Sequence, residues 1–410
     1  MNNLKCRGCG GVEFTNFCDL GTCPPSNSYV AADELDSVEH YYPLKTFVCN
    51  SCLLVQTQDF AKSEELFTSE YAYLSSTSTM WLRHAQSYCD MITRKLQLDH
   101  NSTITEIASN DGYLLRNFNN TNGRVYGVEP TELAAKIAQS RGIETVVDFF
   151  SVKLARQLVM ERGHSDLIIC NNVLAHVPDI NDFVAGLSIL LNKKGIITIE
   201  FPHLMSLVNG NQYDTIYHEH FSYISLLSLN NICKQHDLFI FDVEEILTHG
   251  GSLRVYLKHK NKREERSDSV NKIIEKEISS GLENLRMYES FQETVFNHKQ
   301  KVQRFILDQL DLGKRIYGFG AAAKGNTLMN FCGLKNDYIS GVFDNANSKV
   351  GKYMPGSRIE ILDMKASDNY DVDVALIFPW NIKTEIVDHI KKSNAGCRIY
   401  TLIPQIEEIN

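Results

Sequence analysis

Two Cys-x-x-Cys pairs, Cys6 with Cys9 and Cys49 with Cys52, constrain this chain more tightly than any other feature of it. Each pair turns the backbone sharply so that two thiolates face one ion, and two such knuckles complete a tetrahedral site of four sulfurs. The four cysteines are therefore expected to ligate zinc. Four protein ligands leave no open coordination position, so that zinc holds structure and performs no catalysis. The 39 residues between Cys9 and Cys49 contain Pro24-Pro25 and read as an inserted loop or hairpin. Cys18 and Cys23 lie inside the insert as spare ligands, but the regular spacing favours the outer four. A module of residues 1–70 has little room for a core of its own, and a metal staple compensates for that.

The remaining chain is long enough, at 410 residues in all, for one or two further domains. A net charge of −9 argues against a broad nucleic-acid surface. No run of 18 apolar residues is present, so no membrane span is expected. The first residues, Met1 to Cys6, lack the apolar core of a signal peptide, which points to the cytoplasm and to cysteines that are reduced or metal-bound.

From residue 71 to about 255 the pattern alternates between strands and helices. A helical pattern through Met80-Trp81 to Leu98 precedes the strand Thr103 to Ala108, which runs into Ser109-Asn110-Asp111-Gly112, with Tyr113 starting a helix. A second strand, Arg124 to Val128, ends in Glu129-Pro130, where an acidic side chain can accept both hydroxyls of a ribose. Later strands end at Asn171-Asn172 and at Pro202. Apolar runs spaced by helices indicate a parallel, doubly wound sheet with functional residues at the carboxyl ends of its strands. The first loop has one glycine, Gly112, and lacks the G-x-G-x-x-G that brings backbone close to a diphosphate. It suits a cofactor without phosphate, of which S-adenosylmethionine is the clear case. Glu106, Ala108, Asn110, Gly112, Tyr113, Glu129, Pro130, Asn171 and Asn172 are the expected cofactor contacts.

The stretch Tyr217-His218-Glu219-His220-Phe221-Ser222-Tyr223 crowds two histidines, a carboxylate and two phenols into seven residues. Such crowding serves proton abstraction, which needs a base with a pKa near the working pH and partners that orient it. The competing reading is a polar turn held by buried histidines. His176, after an apolar strand, and Tyr71, past the zinc module, read in isolation as structural residues. Thr248 to Tyr256 reads as a tight turn before a strand, with Arg254 set to face a phosphate or a carboxylate.

Residues 256–410 form a second α/β half. A long helix to about Leu312 carries an apolar stripe of Phe291, Val295, Val302, Phe305, Ile306 and Leu310. The strand Arg315 to Phe319 enters a glycine and alanine loop ending at Asn326, where small residues let backbone N–H groups approach a phosphate and Lys324 adds a cation.

Four stretches occur in order: Glu106 to Gly112, Asn171 to Pro178, Tyr217 to Ser225, and Gly318 to Asn326. With the cysteine knuckles they resemble the nucleotide-sugar 3-C-methyltransferases, which make branched deoxysugars, and the likeness spans essentially the whole chain. One departure is Ala108, where that family usually has glycine. The resemblance implies an α/β fold in three parts: an N-terminal zinc module, a central Rossmann-like methyltransferase domain (71–255), and a second Rossmann-like domain (256–410) that holds the nucleotide sugar. It implies an NDP-4-keto-deoxysugar as substrate. His220 would be the base that removes the C3 proton, with Tyr217, Glu219, His176 and Tyr71 around the sugar. His218 would either contact the sugar or support the loop. Lys324, Asn326 and Trp380 are the candidates for holding the nucleotide diphosphate, and a monomer or weak dimer is expected. O- or N-methylation of a nucleotide sugar is the runner-up, and it leaves the dense Tyr217–Tyr223 cluster without a purpose. A nicotinamide-dependent oxidoreductase using the 318–326 loop is a further alternative.

Overall fold

The computed structural model describes residues 4–58, 60, 74–121, 123–260, 265–393 and 396–409, so Tyr71 lies outside the described residues. The chain builds three sheets. In the first, β1 (Phe14–Cys23), β2 (Tyr42–Cys49) and β3 (Val55–Thr57) run antiparallel, so the long gap between the knuckles is a hairpin. Its fourth strand comes from far along the chain: Ser222–Tyr223 pairs with β3 through Val55↔Tyr223 and Gln56↔Ser222.

The second sheet is central. α1 (Thr79–Leu96) is capped at its start by the Ser78 hydroxyl, which accepts the N–H of Trp81. Then come β4 (Thr103–Ile107), β5 (Arg124–Val128), α2 (Glu132–Ser140), β6 (Glu144–Val146), α3 (Val152–Arg162), β7 (Ser165–Asn171), α4 (Ile180–Leu190) and β8 (Leu191–Pro202). α5 (Leu204–Asn209), β9 (Ser222–Tyr223), α6 (Leu226–Gln235), β10 (Leu238–Ile246) and β11 (Ser252–His259) follow. The seven-stranded order is β10-β11-β8-β7-β4-β5-β6. β4 to β8 pair in parallel, while β11 pairs antiparallel with both β8 and β10. The parallel, doubly wound sheet expected from sequence thus carries one reversed strand. Both faces are covered: Leu167 and Ile169 of β7 join one apolar cluster, and the alternate residues Ile168 and Cys170 join another. The chain leaves β4 for β5 on one side and returns to β7 on the other, which opens a crevice at the carboxyl ends of β4 and β7.

The single long helix expected next is two, α7 (Asp268–Ser279) and α8 (Leu285–Asp311), broken where Gly281 takes a left-handed φ of 85°. Phe291, Val295, Val302 and Ile306 of the stripe are buried. β12 (Ile316–Phe319), α9 (Ala323–Cys332), β13 (Val342–Asp344), β14 (Ile361–Asp363), β15 (Val374–Ile377), α10 (Lys383–Ser393), β16 (Arg398–Thr401) and β17 (Glu407–Ile409) complete the chain. The third sheet has the order β14-β13-β12-β15-β16-β17, parallel except for β17. Its own crevice lies at the carboxyl ends of β12 and β15.

One apolar cluster joins the three parts. It holds Phe17, Leu44 and Val48 of the first sheet, Leu204, Tyr213, Ile216 and Tyr223 of the middle, and Phe291, Ile306 and Phe378 of the last. The segment from α5 to β9, with its histidines, therefore sits where all three parts pack. The knuckle insert reinforces this: Tyr29 donates its hydroxyl to the Ala321 carbonyl at 2.7 Å, Val30 bridges Tyr353, and Glu39 pairs with Arg358 at 2.9 Å.

Candidate active site

The Sγ atoms of Cys6, Cys9, Cys49 and Cys52 all lie within 4.8 Å of one another, with closest pairs of 3.4 Å (Cys6–Cys52) and 3.5 Å (Cys9–Cys49). Zinc–sulfur bonds of about 2.3 Å in a tetrahedron set sulfurs about 3.8 Å apart, within this range. The donor set fits zinc. Cys18 and Cys23 are buried on β1 outside this group.

At the central crevice, the loops after β4 and β7 turn through left-handed residues: Ala108 (φ 58°), Asn110 (φ 49°), Gly112 (φ 75°) and Asn172 (φ 53°). Glu106 Oε2, Ser109 Oγ, Asp111 Oδ1, Asn171 Oδ1 and both side-chain polar atoms of Asn172 are buried there without a protein partner. Each such atom costs roughly 1–3 kcal/mol unless a ligand meets it. Burial, then the neighbouring Glu129 and Asp111, push the pKa of Glu106 well above the usual carboxylate range. Glu129 accepts the N–H groups of Asn110 and Thr131, both at 2.9 Å, and its oxygens keep further lone pairs for a ribose. Pro130 follows it, half-buried, and Tyr113 stacks on Trp81 with centroids 6.2 Å apart. The α-helix expected after Gly112 is a 3-10 helix, Leu115–Thr121. The Asn117 amide donates to the carbonyls of Tyr113 and Leu114, and the Thr121 hydroxyl to that of Phe118, which competes with α-helical bonding. The loop thus offers no α-helix N-terminus to a diphosphate.

His220 is the best-defined side chain of the polar stretch. Its Nδ1–H donates to the Thr215 carbonyl at 2.9 Å, which leaves Nε2 as acceptor for the Tyr217 hydroxyl at 2.8 Å. His176 lies beside it, ring centroids 4.6 Å apart, oriented by its Nδ1–H donating to the Glu219 carbonyl at 2.7 Å. Burial, then the charge His176 would carry, hold the His220 pKa well below the usual imidazole value; burial lowers that of His176 to about 4. Both rings are neutral at neutral pH. Two expected neighbours point elsewhere. The Glu219 carboxyl, buried, accepts from the Asn27 amide at 3.1 Å in the knuckle insert instead of meeting an imidazole. His218 is buried against β2, with its Nε2 3.3 Å from the Pro43 carbonyl and its ring edge-on to Tyr42.

Across the cleft, at the carboxyl ends of β12 and β15, Lys324 donates to Asn381 Oδ1 at 2.9 Å and lies 4.3 Å from the centre of the Trp380 ring. Trp380 Nε1 donates to Asp214 Oδ2 at 2.7 Å, tying the two halves together. Burial lowers the Lys324 pKa to about 8, opposed by Asp214, and burial raises that of Asp214 to about 6. Asn326 is buried within α9, its carbonyl and Oδ1 accepting from Asn330. Arg254 faces carboxylates, Glu200 at 2.9 Å and Glu244 at 3.2 Å. Asp214 and His249 are the cleft residues sequence reasoning missed; a histidine directly before Gly250-Gly251 was the available signal.

Residues 6–67 match a zinc binding domain, residues 80–242 a methyltransferase domain, and residues 247–404 a C-methyltransferase C-terminal domain. A relative, C-methyltransferase NovU of Streptomyces niveus, is 30% identical over 403 residues, covering 98% of this chain and 96% of that one. The chain belongs to the C-methyltransferase family.

Solved structures similar to this C-methyltransferase include a magnesium protoporphyrin IX methyltransferase from Synechocystis PCC 6803 with bound SAH (TM-score 0.35, 14% identity, 44% of this chain and 83% of that one). Another is an S-adenosylmethionine-dependent methyltransferase from Clostridium acetobutylicum (TM-score 0.35, 12% identity, 44% of this chain and 92% of that one). The central crevice of the C-methyltransferase fits S-adenosylmethionine on its own features: buried polar atoms without a protein partner at the ends of β4 and β7, the Glu129 carboxylate at the end of β5, and a 3-10 rather than α-helical turn after β4. No helix among the described residues is long and apolar enough to cross a membrane.

Proposed function

We propose that this enzyme methylates C3 of an NDP-4-keto-deoxysugar through an enolate, with His220 removing the C3 proton. The observation that carries the reading is the His220–Tyr217 pair: a neutral imidazole with its tautomer fixed by Thr215 and its free nitrogen covered by a phenol. A substrate entering the cleft displaces that hydrogen bond. Nε2 is then open to take a proton, and the Tyr217 hydroxyl can turn to donate to the ketone oxygen as charge develops. S-adenosylmethionine, when bound, supplies the electrophilic methyl that the carbon acquires. Lys324, half-exposed in the cleft, supplies a positive charge for the phosphates or the enolate, and Trp380 offers a ring beside it. His176 stands against the base, and its hydrogen bond to the Glu219 carbonyl keeps its ring in place. Glu219 itself, together with the buried His218 and Asn326, acts by shaping the cleft from behind. Tyr71 completes the sugar site in this reading. O- or N-methylation uses none of the enolate-stabilising donors.

The test is a panel of NDP-4-keto-deoxysugars with labelled S-adenosylmethionine, run also in D2O. Wild type is expected to place the methyl on C3. His220→Asn should lower turnover by roughly 10²–10⁴ with substrate binding retained. Near-wild-type methylation by His220→Asn removes the base assignment.

A further inference from the structure

We propose that His249 is a further catalytic residue of this reaction, its imidazole N–H donating a hydrogen bond to the ketone oxygen of the substrate as negative charge builds there. The inference rests on the enolate reading above.

His249 sits in the turn between β10 and β11, in a run of three left-handed residues: His249 (φ 54°), Gly250 (φ 87°) and Gly251 (φ 115°). Two are glycines, as the conformation favours. A side chain at the first is strained, and such strain persists only where the surroundings enforce it. Here they do. The Thr248 hydroxyl donates to Glu200 Oε1 at 3.2 Å, the Gly251 N–H to the Thr248 carbonyl at 3.0 Å, and the Gln212 amide to the Gly250 carbonyl at 2.8 Å. The Gly251 carbonyl in turn accepts the N–H of His203 at 3.0 Å.

The ring this turn holds lies between the two halves of the chemistry. On one side it meets Trp81 edge to face, centroids 5.3 Å apart, and Trp81 stacks on Tyr113 of the cofactor loop. On the other, the adjoining Gly250 packs directly against the Trp380 ring, over which Lys324 lies 4.3 Å from the centre. His84, His176, His203, His218, His220 and His298 all have hydrogen-bond partners in the protein. His249, half-buried, has none among the described residues. Burial, reinforced by Lys324, lowers its pKa to about 4, so it presents a neutral N–H at working pH. A neutral donor stabilises an oxyanion without adding a positive charge beside a sulfonium.

The step balances without transfer to His249. The C3–H bond breaks, its proton goes to His220 Nε2, and its electron pair forms the C3–C4 double bond as the carbonyl π pair moves onto oxygen. His249 keeps its proton and only donates a hydrogen bond.

The experiment compares His249→Gly and His249→Asn with wild type, since both residues suit a left-handed backbone. Three readouts are taken: melting temperature, kcat and KM for methyl transfer, and exchange of the C3 proton into D2O with S-adenosylhomocysteine in place of the methyl donor. Both variants are expected to melt at or above the wild-type temperature. Both should lose about 10²-fold or more in kcat and in exchange. Wild-type exchange and kcat in either folded variant overturns the inference, as does a rise confined to KM for S-adenosylmethionine. Absence of exchange and of methylation in wild type itself, across the sugar panel, overturns the enolate reading and this inference with it. Exchange that wild type shows and His249→Gly retains overturns this inference alone.

Discussion

Gly250→Ala probes the contact that closes the cleft. A β-carbon built there stands 2.3 Å from Trp380 Cη2, 2.6 Å from its Cζ3 and 2.8 Å from Gln212 Nε2, on a backbone with φ +87°. Two costs add. An alanine in the left-handed region costs roughly 1–2 kcal/mol, offset by about 0.5–1 kcal/mol because alanine is less free than glycine in the unfolded chain. Forcing the indole aside costs a further ~1–3 kcal/mol. The sum is about 1–4.5 kcal/mol. The damage also reaches the site, since Trp380 must move and its 2.7 Å hydrogen bond to Asp214 is then lost, freeing Lys324 from its ring contact. Gly142→Ala is the control: it shares a left-handed φ of +81° but has nothing within 4 Å of the added methyl, so it carries the net backbone cost alone, about 0–1.5 kcal/mol. Urea unfolding of both variants gives the difference, and kcat with the proposed ketosugar shows whether it is felt in the cleft. A Gly250→Ala protein no less stable than Gly142→Ala, with unchanged turnover, refutes the packing of this turn against Trp380.

Two other outcomes follow from the geometry. Ala108→Gly should stabilise the protein by ~0.5–1 kcal/mol, because φ 58° suits glycine, and should tighten or leave unchanged the binding of S-adenosylhomocysteine; calorimetric unfolding with and without ligand checks both. Stripping the predicted zinc with a chelator should increase hydrogen exchange at residues 221–223 and lower turnover, with recovery on adding zinc, because β9 hangs on β3 and Thr57 bonds the carbonyls of His220 and Phe221. Complete metal removal with unchanged exchange there contradicts that anchoring.

What the sequence disclosed and what it withheld divide along contact range. The knuckles, the strands ending at Ile107, Val128, Asn171 and Phe319, and the stripe on α8 are local periodicities, and each is found where the pattern placed it. The partners of the site are not local. Glu219 reaches Asn27, and Asp214 reaches Trp380, across separations of 192 and 166 residues that no spacing rule spans. β9 is two residues long and has no periodicity to read, yet it ties the zinc module to the histidines. Arg254 was open between phosphate and carboxylate because its answer, Glu200, lies on another strand. His249 was hidden for a different reason. A turn before a strand explains two glycines completely, and only the three-dimensional fold shows a histidine forced into their company, its ring against Trp81 and without a hydrogen-bond partner among the described residues.

The same contacts explain why the chain needs three parts for one reaction. In the proposed enolate reaction, removing a proton from carbon with a neutral imidazole is uphill, so the proposed base must be held dry and the developing oxyanion met by donors already in place. No single sheet here supplies both. His220, the proposed base, hangs between β9, which belongs to the zinc module's sheet, and the Thr215 carbonyl of the central domain. The cation opposite comes from β12 and α9, held by the ring that packs on the 248–251 turn. The knuckle insert then bonds to both sides, through Asn27 to Glu219 and through Tyr29 to the Ala321 carbonyl. Loosening any one part moves base, donors and cation relative to one another. In that reading the cysteine cluster acts on the chemistry only through the register of a two-residue strand.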